Sequence, residues 1–107
     1  MENETRDVQE LIVVRDGKVD TVPVTSRTAR TYKVGASKRT GIKYRSLLCL
    51  GDVNTICGKG GGAYIIGYDV GECVQKYNEY MEMQVEVHKK SITHLQSLII
   101  TEVCCHG

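Results

Sequence analysis

Residues 72–106 contain neither glycine nor proline, and they follow a stretch in which nine of the 11 glycines fall between positions 35 and 71. Glycine-rich sequence suits turns and short strands, whereas a glycine-free run of this length suits a helix. The chain therefore has to change its backbone habit near residue 70. The architecture that follows is α+β, a small antiparallel sheet of five or six strands followed by one long C-terminal helix over residues 69–105. Asp69 is the candidate N-cap, and Glu72 three residues later completes a capping-box pattern.

Inside that helix Met81, Val85, His88, Ile92, Leu95 and Ile99 recur at spacings of 4, 3, 4, 3 and 4, which is a heptad seam. The β-branched Val85, Ile92 and Ile99 alternate with Met81, His88 and Leu95, the arrangement favoured in parallel two-stranded coiled coils. One helix of this length runs roughly 50 Å at a rise of about 1.5 Å per residue. A compact domain of this size has a radius of gyration of only about 13 Å. The helix must then either pair with a copy of itself or break near residues 81–90. A break has a natural place, since residues 81–87 also alternate apolar and polar and suit a β-strand, with a shorter helix from about Ser91. The heptad accounts for more residues, and Glu, Met, Gln and Lys are good helix formers. The unbroken helix is preferred, and with it a homo-oligomer joined through those six seam positions.

At 107 residues the chain reads as a single domain, 1–107, with a frayed polar stretch at 1–8 and a β-rich part at 9–68. No apolar run approaches a membrane span, and the first ten residues are acidic, unlike the basic start of a signal peptide. A soluble cytoplasmic protein with no membrane partner is expected. Five cysteines, an odd number without framework spacing, fit reduced thiols.

The strands come from local pattern. Residues 11–14 are apolar, Asp16-Gly17 is a two-residue hairpin signal, and Val19, Val22 and Val24 continue beyond it. Pro23, which cannot donate to a ladder, points to an edge strand. Arg30, Tyr32 and Val34 suggest a third strand ending at Gly35, and residues 36–41 a basic loop. Ile42, Tyr44, Leu48 and Leu50 alternate with Lys43 and Arg45 as a fourth strand. Residues 53–57 and 63–68 make a second hairpin around the loop Gly58, Lys59, Gly60, Gly61 and Gly62.

The formal net charge of +1 is unevenly spread. Arg27, Arg30, Lys33, Lys38, Arg39, Lys43 and Arg45 supply half of the chain's 14 cations, with no acid among them. Such a local field draws an anion, while the near-neutral total is unlike proteins that coat nucleic acid. The glycine loop adds backbone N–H groups able to turn on a phosphate, with Lys59 beside them. It is neither a Walker loop nor GxGxxG, and a plain hairpin tip is its simpler reading. All six aromatic residues are tyrosine. Tyr64 and Tyr68 follow the loop and suit stacking on a base, whereas Tyr44 and Tyr77 read as core.

Catalysis has less behind it. His88 lies on the seam, where a polar residue sets register, and no paired carboxylates share a recognisable context. Cys104, Cys105 and His106 hold ligand atoms without a second half-site, so neither a metal nor a cofactor is expected. The reading is a non-enzymatic, oligomeric protein that binds a small phosphate-bearing ligand, a nucleotide foremost. Arg27, Arg30, Lys38, Arg39, Lys43, Arg45 and the glycine loop would hold the phosphates, with Tyr64 or Tyr68 on the base. One setting is sequestration of a nucleotide second messenger, as some small phage proteins do against bacterial immune signalling, an analogy of size and charge alone. The alternatives are a nucleic-acid-binding protein or dimeric regulator with a basic β-surface, and an interaction protein in which the coiled coil is itself the function.

Overall fold

The computed structural model describes residues 4–43 and 45–100, with the backbone alone at residues 45 and 46. Tyr44, Cys104, Cys105, His106 and the Arg45 side chain thus lie outside the described residues. Strands β1 (Glu10–Arg15) and β2 (Lys18–Arg27) form a hairpin turned by Asp16 and Gly17, at φ of 54° and 71°. Positive φ at both positions is what a two-residue turn of matching twist requires. Strands β3 (Thr31–Val34), β4 (Arg45–Cys49), β5 (Ile56–Cys57) and β6 (Tyr64–Gly67) follow, and helix α1 (Val70–Ser97) closes the chain. The strands make one curled antiparallel sheet in the order β4-β3-β2-β1-β6-β5.

The central strands are covered on both faces, which explains the unbroken apolar run in β1. Leu11 and Val13 face a core with Val22, Tyr32, Val34, Leu48 and Ile66. Val14 turns the other way, against Ile65 of β6 and Cys73 and Tyr77 of the helix. The two edge strands, β4 and β5, have five and two residues. Edges this short offer little template for adding a foreign strand.

Two local expectations need correction. Pro23 does not mark an edge, because β2 lies inside the sheet between β1 and β3. It sits where β2 changes partner, opposite Glu10 at the last pair with β1, and pairing with β3 begins at Val24. Its carbonyl still accepts the Gly35 N–H at 2.9 Å, which keeps β2 tied to the chain just past β3. The fourth strand starts at Arg45 and not at Ile42, which instead bridges Ser37 across the turn and is buried in the core with Leu11 and Val13.

Helix α1 runs unbroken through residues 81–87, so neither the strand alternative nor the break holds. The Asp69 carboxylate accepts the Glu72 N–H at 2.9 Å and caps its start. The helix ends at Ser97, and Leu98 and Ile99 close it with bonds to Leu95 and Gln96. Only its first three turns touch the sheet, through buried Cys73 and Tyr77 and half-buried Val74 and Met81. From Val85 to Ile100 every residue is exposed. The protein consequently measures 73 × 30 × 21 Å with a radius of gyration of 19.8 Å, against about 13 Å for a compact chain of this length.

Burial pushes the Cys73 thiol up to about 11 from an ordinary 9.0, with Glu72 adding to the shift. The folded state keeps its proton while the unfolded state loses it above pH 9. Stability from this group is therefore full below pH 9 and is lost as pH rises through 11. In urea titrations the unfolding free energy should fall over that window, and the fall should be smaller in Cys73→Ala. Equal slopes in the two proteins would show that the thiol ionises as freely folded as unfolded.

Candidate functional site

Hairpin tips and loops collect at one end of the sheet, and Arg15, the last residue of β1, joins them. Its Nε donates to the Gly62 carbonyl at 3.3 Å and its Nη1 to the Gly41 carbonyl at 3.2 Å. One guanidinium thus ties the glycine loop to the basic loop between β3 and β4. Helix α1 holds the same end from below. The Tyr77 hydroxyl accepts the Gly17 N–H at 3.0 Å, and the Tyr80 hydroxyl accepts the Gly60 N–H at 2.9 Å.

The basic loop is pinned from inside. Buried Ser37 donates to Asp20 Oδ2 at 2.6 Å, and buried Thr40 donates to Ser37 Oγ at 2.7 Å. The Ser37 hydroxyl, the Thr21 N–H and the charge of Arg39 hold the Asp20 carboxyl below its ordinary value. Lys38 and Arg39 stand exposed on this fixed turn, and Lys43 is exposed just after it. Across the Arg15 bridge, residues 60–62 form a short 3-10 turn preceded by exposed Lys59, with Gly58 and Gly60 at φ of 82° and 57°. Tyr64 pairs with Arg15 in the ladder and belongs to this end as well.

The remaining residues of the expected site lie at the other end. Exposed Arg27 and Arg30 flank the β2–β3 turn, where Arg27 pairs with Asp7 at 3.3 Å. Tyr68 meets Tyr32 edge-on, with their hydroxyls 2.8 Å apart, and the Arg6 guanidinium sits 4.1 Å from its ring centroid. Four-residue β6 separates Tyr68 from Tyr64 by roughly 13 Å at about 3.3 Å per residue. The expected constellation is therefore divided. Lys38, Arg39, Lys43, Lys59, Tyr64 and residues 58–62 share one end, and Arg27, Arg30 and Tyr68 share the other.

Two residues that organise the site had no role in the sequence reading. Arg15 had a signal, a lone cation closing an apolar run just before a tight turn. Tyr80 had only its helical phase with Tyr77, three residues earlier, on the face that meets the sheet.

Between the glycine loop and the projecting helix runs an open, mainly apolar groove of about 390 Å³. Gly60 and Gly61 form one wall, and Met81, Val85, His88 and Ile92 the other. Four of the six expected oligomerisation residues thus line the groove, and Leu95 and Ile99 stand 60% and 65% exposed beyond it. Among the described residues, no three His, Cys, Asp or Glu side chains are set to hold a metal, and no helix is long and apolar enough to cross a membrane. Comparison of the chain with protein families, with curated proteins and with solved structures finds no match.

Proposed function

We propose that this chain is a self-associating, non-enzymatic binding protein for a small phosphate-bearing ligand, with a nucleotide as the leading candidate. The observation that carries the proposal is the Arg15 bridge, which ties the basic loop of Lys38 and Arg39 to the glycine loop that holds Lys59. Ammonium and guanidinium groups there would meet phosphate oxygens, and Tyr64 would lie against a base or ribose. Sequestration of a nucleotide messenger is one use for such a protein. The bare apolar helix supports self-association, because exposed apolar surface on this scale marks a contact with another molecule.

Denaturing the purified protein and examining the supernatant by mass spectrometry should release a nucleotide in stoichiometric amount. The charge-reversed variant Lys38→Glu/Arg39→Glu/Lys59→Glu should weaken binding of ATP or cyclic di-AMP, whichever binds, at least about tenfold by calorimetry. Arg27→Glu/Arg30→Glu should stay within about twofold of the parent, since its cations lie at the far end.

The same division of cations favours one second reading, in which an extended nucleic-acid backbone bridges both ends. That reading predicts that both variants weaken binding of a single-stranded oligonucleotide. It also predicts an affinity falling steeply with salt, at a slope near the number of phosphates neutralised.

A further inference from the structure

We infer that two copies of this chain pair through their projecting helices in antiparallel orientation, each helix tip closing the groove beside the other copy's glycine loop. The inference rests on the self-association proposed above and is independent of the ligand. It also departs from the parallel pairing that the order of β-branched residues alone suggests.

The seam is symmetric about position 90. Met81 and Ile99, Val85 and Leu95, and His88 and Ile92 each lie equidistant from it. A second helix turned end for end about that point puts seam positions on seam positions. Val85 then faces the partner's Leu95, and Met81 faces the partner's Ile99. His88 faces the partner's Ile92, so no layer has to hold two imidazoles, as the parallel pairing demands.

Sterics point the same way. At 3.6 residues per turn the sheet-facing Cys73 and Tyr77 and the seam residues fall within roughly one third of the helix circumference. The chain's own sheet therefore fills the seam side up to Met81, which packs against the sheet core. A parallel partner would bring its own first three turns and its own sheet to that level, on the side already occupied. An antiparallel partner brings no sheet to that level. The glycines at 60 and 61 leave room for it, because no side chain rises from that wall of the groove.

Charge agrees. Antiparallel pairing brings the negative C-terminal pole of the partner's helix to Lys59, next in the chain to the Gly60 wall of the groove.

A spin label on exposed Gln75 decides the question, in a background with Cys49, Cys57, Cys104 and Cys105 replaced by serine. Sedimentation equilibrium is run first and distance measurement by double electron–electron resonance second. Antiparallel pairing places the labels about 45 Å apart, fifteen residues of rise on either side of position 90. Parallel pairing places them at one level, within roughly 25 Å, about two helix diameters. A dimer with the long distance supports the inference. A dimer with the short distance overturns the antiparallel arrangement and leaves self-association standing. A monomer at high concentration overturns both.

Discussion

Gly67→Val is expected to remove most of the protein's folding stability, lowering the urea midpoint well below that of any conservative core substitution. The backbone at Gly67 is ordinary, so the constraint is space. A Cβ there would stand 1.9 Å from Asn54 Oδ1 and 2.6 Å from Cys73 Sγ. Both atoms end short side chains whose backbones are anchored. Asn54 sits at a φ of 61°, donates its N–H to the Ile66 carbonyl at 2.8 Å, and accepts the Lys76 ammonium on its own carbonyl at 2.9 Å. Cys73 is fixed in the first turns of the helix and is wholly buried. Adding a side chain forces the helix off β6 at its root. Overpacking of this kind costs about 1–3 kcal/mol and sometimes more, within a total stability of about 5–15 kcal/mol. Gly67→Ala should fall inside that range and Gly67→Val above it. A Val variant with the parent's midpoint would mean that the helix does not seat against β6 as described.

The second large effect belongs to the other end of the helix. If the proposed pairing holds, Ile92→Asp/Leu95→Asp should sediment as a monomer and lose roughly half of its helical circular dichroism, because sixteen of the 28 helical residues lie past Met81. Most helix stability in proteins comes from the packing of an amphipathic face and not from propensity, and this segment has no contact of its own with the sheet to replace a lost partner. The core should survive, since Cys73, Tyr77 and the sheet face they cover are untouched by the change. Loss of both association and distal helicity, with cooperative unfolding of the remainder retained, is the expected signature. Full helicity in a monomeric variant would show that the helix stands unaided, and the partner would then not be needed to explain it.

The elements that local chemistry dictates were readable in the chain. Asp16-Gly17 turns the first hairpin because both positions tolerate positive φ, Asp69 caps the helix, and the absence of glycine and proline carries that helix through residues 81–87. What stayed hidden depends on contacts remote in sequence. The β-branched and apolar residues of β1 announce a buried strand, but nothing near them says that β6, some fifty residues later, will pair with them. Pro23 obeyed its own rule, having no N–H to offer, yet the place that tolerates it is a change of partners inside the sheet. The basic segment looked like one patch because its cations are contiguous in sequence. Strand β3 runs between Arg30 and Lys38 and carries the two groups to opposite ends. Arg15, which unites the loops, makes contacts across 26 and 47 residues.

A helix gripped only at its root is also a mechanical lever. Taking Cys73 as the fulcrum, Tyr80 lies seven residues out and Ser97 twenty-four, so a displacement of 1 Å at Tyr80 becomes about 3 Å at the tip if the helix stays straight. The Tyr80 hydroxyl is bound to the Gly60 N–H. Any movement of the glycine loop along that bond is accordingly magnified at the point farthest from the sheet, where Leu95 and Ile99 are displayed.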